Sequence, residues 1–444
     1  MLDELPVRDR AAVDGARRGW FDAPDVRHRR DVYIALAGFL VALGAYLFVS
    51  FGGHIAGTIW PEHVDLTVYR LGARVLLDRG DLYGVLPQAK PGLELPFTYP
   101  PMAAIVLAPL AMLPLALDGL LSTLLTVVLL ALVLRVVLRS AELFTGGLLN
   151  RSVLIALPVV LVLDPVRVTL VDGQIDVALM ALVVWDALGG GVRIGRWGAR
   201  GALVGLAAAM KLTPAVFVLF FLAQRDRRAA LRAAASFAGF TALGFLVAPG
   251  DSAQYWGHTV LQTGRIGAVW YAANQSLQAV FTRAGLSGRG LSVAWALGCL
   301  VVLALAWTAM RRAAGQGDAA GALIVNALAE LLISPISWTH HWVWIVPALV
   351  VFGAAGRRSG LPRARLFMTS VFALFALGPQ WLLPHGQNRE LHWALWEQLL
   401  GSGYVWFALT ILTLAAVPRL RRATGHHRRS GLCARRRRVA VAAH

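Results

Sequence analysis

Four side chains of this 444-residue chain stand where packing alone does not account for them: Asp65, Lys211, His340 and His341. Asp65 belongs to a polar stretch, 52–98, that also holds His54, Glu62, His63, Tyr69, Arg70, Asp78 and Asp81. A carboxylate there can take up a proton as a general base. In the first turn of a helix it can equally do no more than favour the helix dipole, and both readings stand. Lys211 is one of two lysines against 40 arginines, and the only one inside an apolar segment. A charge at membrane depth is costly and points to function; snorkelling to the interface is the alternative. His340 and His341 follow Trp338 in a short break between apolar runs. Adjacent histidines diverge on any regular element, and no cysteine or second histidine cluster completes a ligand set, so no metal is expected. Gln174, Asn274 and Gln275 stand at the outer ends of apolar runs, suited to binding hydroxyls or to capping helices.

The elements that must position these groups are membrane helices. Hydrophobic residues make up 57% of the chain and charged ones only 15%, where a soluble protein has about 25% charged. Too few polar groups remain to cover a soluble globule, which excludes an ordinary cytosolic enzyme, and disorder is excluded by the same hydrophobicity. Apolar runs near the length of a bilayer span occupy roughly 32–51, 119–138, 152–168, 174–189, 233–248, 291–310, 319–334, 342–355, 364–378 and 403–417. Two more, 99–117 and 202–223, are interrupted by Pro100, Pro101, Pro109 and Pro114 and by Pro214. Proline breaks a helix, and broken helices at membrane depth line cavities or are buried in protein. Both are therefore expected to be re-entrant or half-spanning.

The net charge of +18 suggests nucleic acid at first sight, but the arginines recur between spans rather than on one soluble face. They read as cytoplasmic loops under the positive-inside rule. Nine arginines in 419–438 supply half of the excess, a topology signal that anionic lipid headgroups reinforce. This makes 1–31 a cytoplasmic N-terminal segment, 32–418 the membrane domain and 419–444 a basic cytoplasmic tail. Two cysteines, one in an apolar run and one in the tail, offer no disulfide framework. In the first outer loop Val64, Val68, Leu71 and Val75 share one helical face, predicting an interfacial helix with its polar side toward water.

Seven segments then resemble glycosyltransferase family 87, the polyprenol-phosphate-mannose-dependent α-(1→2)-mannosyltransferases of mycobacteria and related actinobacteria. They are His63-Val-Asp-Leu-Thr-Val-Tyr-Arg70, Gly80-Asp-Leu-Tyr83, Leu95-Pro-Phe-Thr-Tyr-Pro-Pro101, Gly173-Gln-Ile-Asp176, Met210-Lys-Leu-Thr-Pro214, Asn274-Gln-Ser-Leu277 and Ser334-Pro-Ile-Ser-Trp-Thr-His-His-Trp342. They follow in order from about residue 60 to 350. The chain departs from the family pattern at Asp176, where Asn is usual, so no role is assigned to Asp176.

The resemblance implies an all-α polytopic fold of GT-C type, with about 10 to 12 transmembrane or re-entrant helices and an active site on the periplasmic face of the cell membrane. It implies inverting transfer of mannose from polyprenyl-phosphate-mannose to phosphatidylinositol mannosides or lipomannan-type acceptors, with no cofactor beyond the lipid-linked donor. Asp65 matches the family's catalytic base in the first outer loop. Lys211, His340, His341, Tyr69, Arg70, Gln174, Asn274, Gln275 and Trp338 are the residues expected to hold the donor phosphate or sugar, with Arg265 a further phosphate candidate. Most of the fifteen tryptophans belong to the interfacial girdle. A GT-C transferase for another polyprenyl-phosphate sugar, or a transporter of a polar or lipid-linked solute, is the alternative; the transporter leaves the polar first loop unexplained.

Overall fold

A computed structural model describes residues 63–144, 146–189, 193–194 and 197–417. The expected span at 32–51, the N-terminal segment 1–31 and the basic tail 419–444 lie outside the described residues. The helices run in order α1 (Val64–Leu77), α2 (Pro101–Ala111), α3 (Leu115–Ser140), α4 (Gly146–Leu161), α5 (Asp164–Asp172), α6 (Asp176–Leu188) and α7 (Ala202–Met210). A 3-10 turn at Thr213–Phe217 leads into α8 (Val218–Ala223), followed by α9 (Arg227–Val247), α10 (Pro249–Gly257), α11 (Leu277–Arg283), α12 (Gly288–Gly315) and α13 (Ala319–Ile333). The 3-10 turn Thr339–Trp344 opens α14 (Ile345–Ser359), and α15 (Pro362–Leu377), α16 (Leu395–Gly401) and α17 (Gly403–Ala416) complete the described chain. The strand pairing among the described residues is a two-residue antiparallel ladder, Arg193–Ile194 with Trp197–Gly198.

Among the described residues four helices are long and apolar enough to cross a membrane: α3, α9, α12 and the continuous stretch Thr339–Ser359. In α3, α9 and α12 only 28%, 17% and 22% of the apolar window is buried in protein. Apolar surface left that open is stable only against lipid, which makes this a membrane protein. Two further candidates are bent pairs, α4–α5 by 77° and α16–α17 by 69°. Pro165 at the start of α5 explains the first bend, since it cannot donate to the turn before it.

The proline-interrupted runs are broken as expected. α2 has 11 residues, about 16 Å of helix, and ends before Pro114 starts α3. In the run 202–223, α7 stops at Lys211, whose backbone is extended (φ −147°, ψ 126°), and Thr213-Pro214 opens a tighter turn.

One expectation is overturned. α1 does not turn its polar side to water: Leu66, Tyr69, Arg70 and Ala73 form its most buried face, set against α2 and α5. The cause is Arg70, whose guanidinium donates to Asp118 of α3 at 2.7 Å and to the carbonyls of Leu110 and Leu113 at 2.7 and 2.6 Å. Those carbonyls end α2 and follow it, so the arginine satisfies groups the helix itself leaves open. Close packing reinforces the seat. A Cβ on Gly173 would meet the Leu66 Cβ at 2.7 Å, and its φ of +71° favours glycine as well. Asp118→Ala strands a buried guanidinium and should lower stability by about 3–5 kcal/mol; thermal unfolding in detergent measures it, and an unchanged midpoint would contradict this account of α1.

At the start of α5, Asp164 accepts from Gln380 Nε2, Trp381 Nε1 and the Tyr404 hydroxyl at 3.2, 3.0 and 3.0 Å. This buried knot ties α5 to the C-terminal helices and so fixes the Asp172–Gln174 segment that α5 delivers.

Candidate active site

The breaks in the helices converge. α1 supplies Asp65 and Tyr69, the loop before α2 supplies Tyr99, and the end of α5 supplies Gln174. The α7 break supplies Lys211, α13 supplies Glu330, and the segment at Trp338–Trp344 supplies Trp338, His340 and His341. All of them line one cavity of about 690 Å³. Extended or 3-10 backbone at these points leaves polar groups unsatisfied by the helices, which in a membrane is tolerated where the backbone lines a cavity.

On one wall the Tyr69 hydroxyl donates to Gln174 Oε1 at 2.5 Å, and Gln174 Nε2 donates to Asp65 Oδ2 at 2.6 Å. The Tyr69 and Tyr99 hydroxyls are 3.0 Å apart. Burial holds the Tyr69 phenol protonated far above its ordinary range, so it serves as a donor. The chain of bonds sets the Gln174 amide, and the amide sets the carboxylate. Burial pushes the Asp65 carboxyl up from 3.8 to about 6, with Asp176 adding to the rise and the Gln174 bond and Lys211 opposing it. A base is ionised above its pKa, so transfer that uses Asp65 should fall tenfold per pH unit below about 6. A kcat/KM profile flat down to pH 4.5 or so would contradict that role.

In the same cavity Lys211 Nζ donates to Asp176 Oδ1 at 2.7 Å and lies 3.0 Å from His341 Nε2. It stands 5.5 Å from the centre of the Tyr99 ring. Because the ammonium has no lone pair, His341 Nε2 is the acceptor and carries its proton on Nδ1. His340 Nε2 and Asp176 Oδ2 are buried, 3.9 Å apart and without hydrogen-bond partners among the described residues. His340 Nε2 is thus a polar atom held ready beside the cation. Among the described residues two trios bring possible metal-ligand atoms within 4.8 Å of one another, Asp176 with His340 and His341, and Asp65 with Asp172 and His340. At the first trio the Lys211 ammonium already supplies the positive charge.

Asp65, Tyr69, Gln174, Lys211, Trp338, His340 and His341 are therefore brought together, and Arg265 joins them at the cavity wall, donating to the Tyr83 carbonyl at 2.8 Å. Three expected ligand contacts are not in the cavity. Arg70 is held in its pair with Asp118. Asn274 donates to the carbonyls of Val269 and Pro335 and accepts from the Ser337 amide, and Gln275 donates to those of Ala272 and Gly401. Both amides staple buried loop backbone, which needs partners wherever water is excluded. Glu330 was missed: buried in an apolar helix, it lines the same cavity as Lys211 and lies close enough to act on it. It is the only acid in the run 319–334, and the rule that singles out Lys211 would have found it. Asp176 gains a definite partner in Lys211.

The family model described as Glycosyltransferase family 87 matches residues 97–335. A polyprenol-phosphate-mannose-dependent alpha-(1-2)-phosphatidylinositol mannoside mannosyltransferase of Mycobacterium tuberculosis is 40% identical over 86% of this chain and 89% of its own. A polyprenol-phosphate-mannose-dependent alpha-(1-2)-phosphatidylinositol pentamannoside mannosyltransferase of the same species is 34% identical, over 83% of this chain and 85% of that one. The solved structure of ArnT from Cupriavidus metallidurans bound to undecaprenyl phosphate aligns with 86% of this chain and 76% of its own at 16% identity and a TM-score of 0.39, too remote to bear on the site. The ordered segments, the converging breaks and these relatives agree, and the chain belongs to glycosyltransferase family 87.

Proposed function

We propose that this glycosyltransferase moves mannose from polyprenyl-phosphate-mannose to the 2-hydroxyl of a phosphatidylinositol mannoside or lipomannan-type acceptor. The observation that carries the reading is one cavity lined by both a carboxylate and a buried cation, in a chain 40% identical to an enzyme named for that donor and acceptor class. Asp65 removes the acceptor proton as its oxygen attacks C1 from the face opposite the phosphate. The C1–oxygen bond to phosphate breaks, polyprenyl phosphate leaves, and the β-linked donor yields an α-(1→2) product. Lys211 and the His340 Nε2 hydrogen stabilise the charge that grows on the phosphate. Gln174 and Tyr69 hold the base; Trp338 offers a ring to the sugar.

The arginine-rich loops support a periplasmic cavity, and the helical membrane domain is read as a GT-C bundle of about 10 to 12 transmembrane or re-entrant helices with α1 at the outer interface. The transporter reading falls with the family assignment. Membranes containing the protein, given labelled polyprenyl-phosphate-mannose and a panel of mannolipid acceptors, should form an α-(1→2)-linked product; labelling of none of them would refute the proposal. No cofactor or metal is required on this reading, since Lys211 supplies the cation. Activity should survive a chelator unchanged, and loss restored by a divalent ion would show that one of the carboxylate–histidine trios is a metal centre.

A further inference from the structure

The hairpin of α14 and α15 carries a hollow that the transfer reaction does not use. It measures about 830 Å³ and is lined from both helices, by Gly353, Gly356 and Arg357 on one side and Arg365, Met368 and Thr369 on the other. Glycine lets the helices meet closely: a Cβ on Gly356 would stand 3.1 Å from the Ala364 Cβ. Arg357 and Arg365, each one residue beyond that contact, are thereby gathered on one hollow. Gly360 ends α14 at φ +64°, where glycine is favoured, and Pro362 starts α15.

Charge and position narrow what fits. Arg358 and Arg363 flank the pair, all four arginines are exposed, and the sequence has no acid between Glu330 and Glu390. α3, which packs on α14, ends with Arg139 in its last turn, and Glu142 is the acid of the segment that follows. The Arg357 guanidinium stands 5.4 Å from the centre of the Phe144 ring, so it is partly withdrawn from solvent. Open apolar side chains stand beside these cations: Leu361 is 60% exposed and Leu366 69%. Cations and hydrocarbon exposed together suit neither bulk water nor the bilayer core. They suit the layer between, where a phospholipid carries phosphate above acyl chain. The stretch Thr339–Ser359 runs from the reaction cavity to this turn, about 30 Å of helix and about one hydrocarbon thickness. The hollow therefore stands at the membrane face opposite the cavity.

We propose that this hollow binds an anionic phospholipid from the leaflet facing away from the reaction cavity. Arg357 and Arg365 hold its headgroup phosphate, to whose oxygens a guanidinium offers two parallel N–H donors. Leu361 and Met368, both on the lining, take the upper part of an acyl chain. A soluble anion would satisfy the arginines but leave those two side chains in water.

Native mass spectrometry of the full chain in neutral detergent, titrated with phosphatidylglycerol, tests the assignment. Arg357→Gln with Arg365→Gln should weaken the tightest-bound lipid about tenfold or more. Arg227→Gln with Arg228→Gln removes the same charge from the exposed start of α9, and should leave that affinity unchanged. Equal weakening in both variants would reduce the effect to overall charge and overturn the proposal, as would unaltered binding in the first. Displacement of the lipid by an equal concentration of inorganic phosphate would mark a soluble-anion site and overturn it too. The unmutated protein gives an independent measurement. Phosphatidylglycerol with a diazirine near the top of one acyl chain should label peptides within 353–369, and labelling that spares them refutes the site.

Discussion

Asp65→Asn lowers kcat by about 10²–10⁴-fold while leaving donor and acceptor KM near their normal values. The side chains are nearly isosteric, and the asparagine carbonyl can still accept the bond that Gln174 Nε2 makes to Asp65. What is lost is the ability to take a proton from the acceptor hydroxyl as the new bond forms. Stability moves in the other direction. The folded carboxyl titrates near 6 against 3.8, so between those values the folded protein binds more protons than the unfolded one, and stability falls as pH rises through that window. At pH 7 the full penalty of the buried charge is present, and the amide removes it. The unfolding midpoint of Asp65→Asn at pH 7 should therefore equal or exceed that of the natural protein. An inactive variant with a lowered midpoint would point to structural damage, and near-normal turnover would remove Asp65 from the mechanism.

Lys211 calls for a double variant. Lys211→Met alone leaves Asp176 as a buried, unpaired carboxylate, because the pair at 2.7 Å is almost wholly inside the protein. Removing one member of such a pair costs about 3–5 kcal/mol, so lost activity in the single variant would be ambiguous. Lys211→Met with Asp176→Asn removes both charges together, and the unfolding midpoint should recover. Activity should not: the departing phosphate has lost its ammonium, and the expected fall in kcat is about 10²–10³-fold. Asp176→Asn by itself should keep most of the activity, since it leaves the cation in place. If the double variant turns over like the natural protein, Lys211 is a structural cation and the leaving group is stabilised elsewhere. Lys211→Arg is not a neutral control, because a planar fork does not reproduce the ammonium's contacts with Asp176 and His341.

The elements of the fold that follow local rules are the ones the sequence makes legible. Proline at 114, 165 and 214 stands where a new helix or turn begins, the position at which its missing donor costs least, whereas Pro109 and Pro158 are carried inside helices. A lysine amid apolar residues is costly in any membrane fold, and Lys211 does line the cavity. Other side chains were misjudged for one common reason. Periodicity shows that Val64, Val68, Leu71 and Val75 share a face, but not that Asp118 draws Arg70 inward and that Gln174 and Tyr99 hold Tyr69 there. Asn274 and Gln275 have the chemistry for binding hydroxyls, yet their partners are carbonyls up to about 126 residues away along the chain.

By itself the sequence determined that this is a helical membrane protein, where its helices break, and that Asp65, Lys211 and the 338–341 segment are the positions to test. Those follow from composition, from proline's missing donor and from the expense of charge in hydrocarbon, all properties of short stretches. Tertiary structure alone decided which polar groups meet: that Gln174 and Tyr69 hold Asp65, that Asp176 and His341 hold Lys211, and that Arg70 and the two amides are used inside the protein. Hydrogen-bond satisfaction is settled between groups far apart in the chain, and only the folded arrangement brings them within reach.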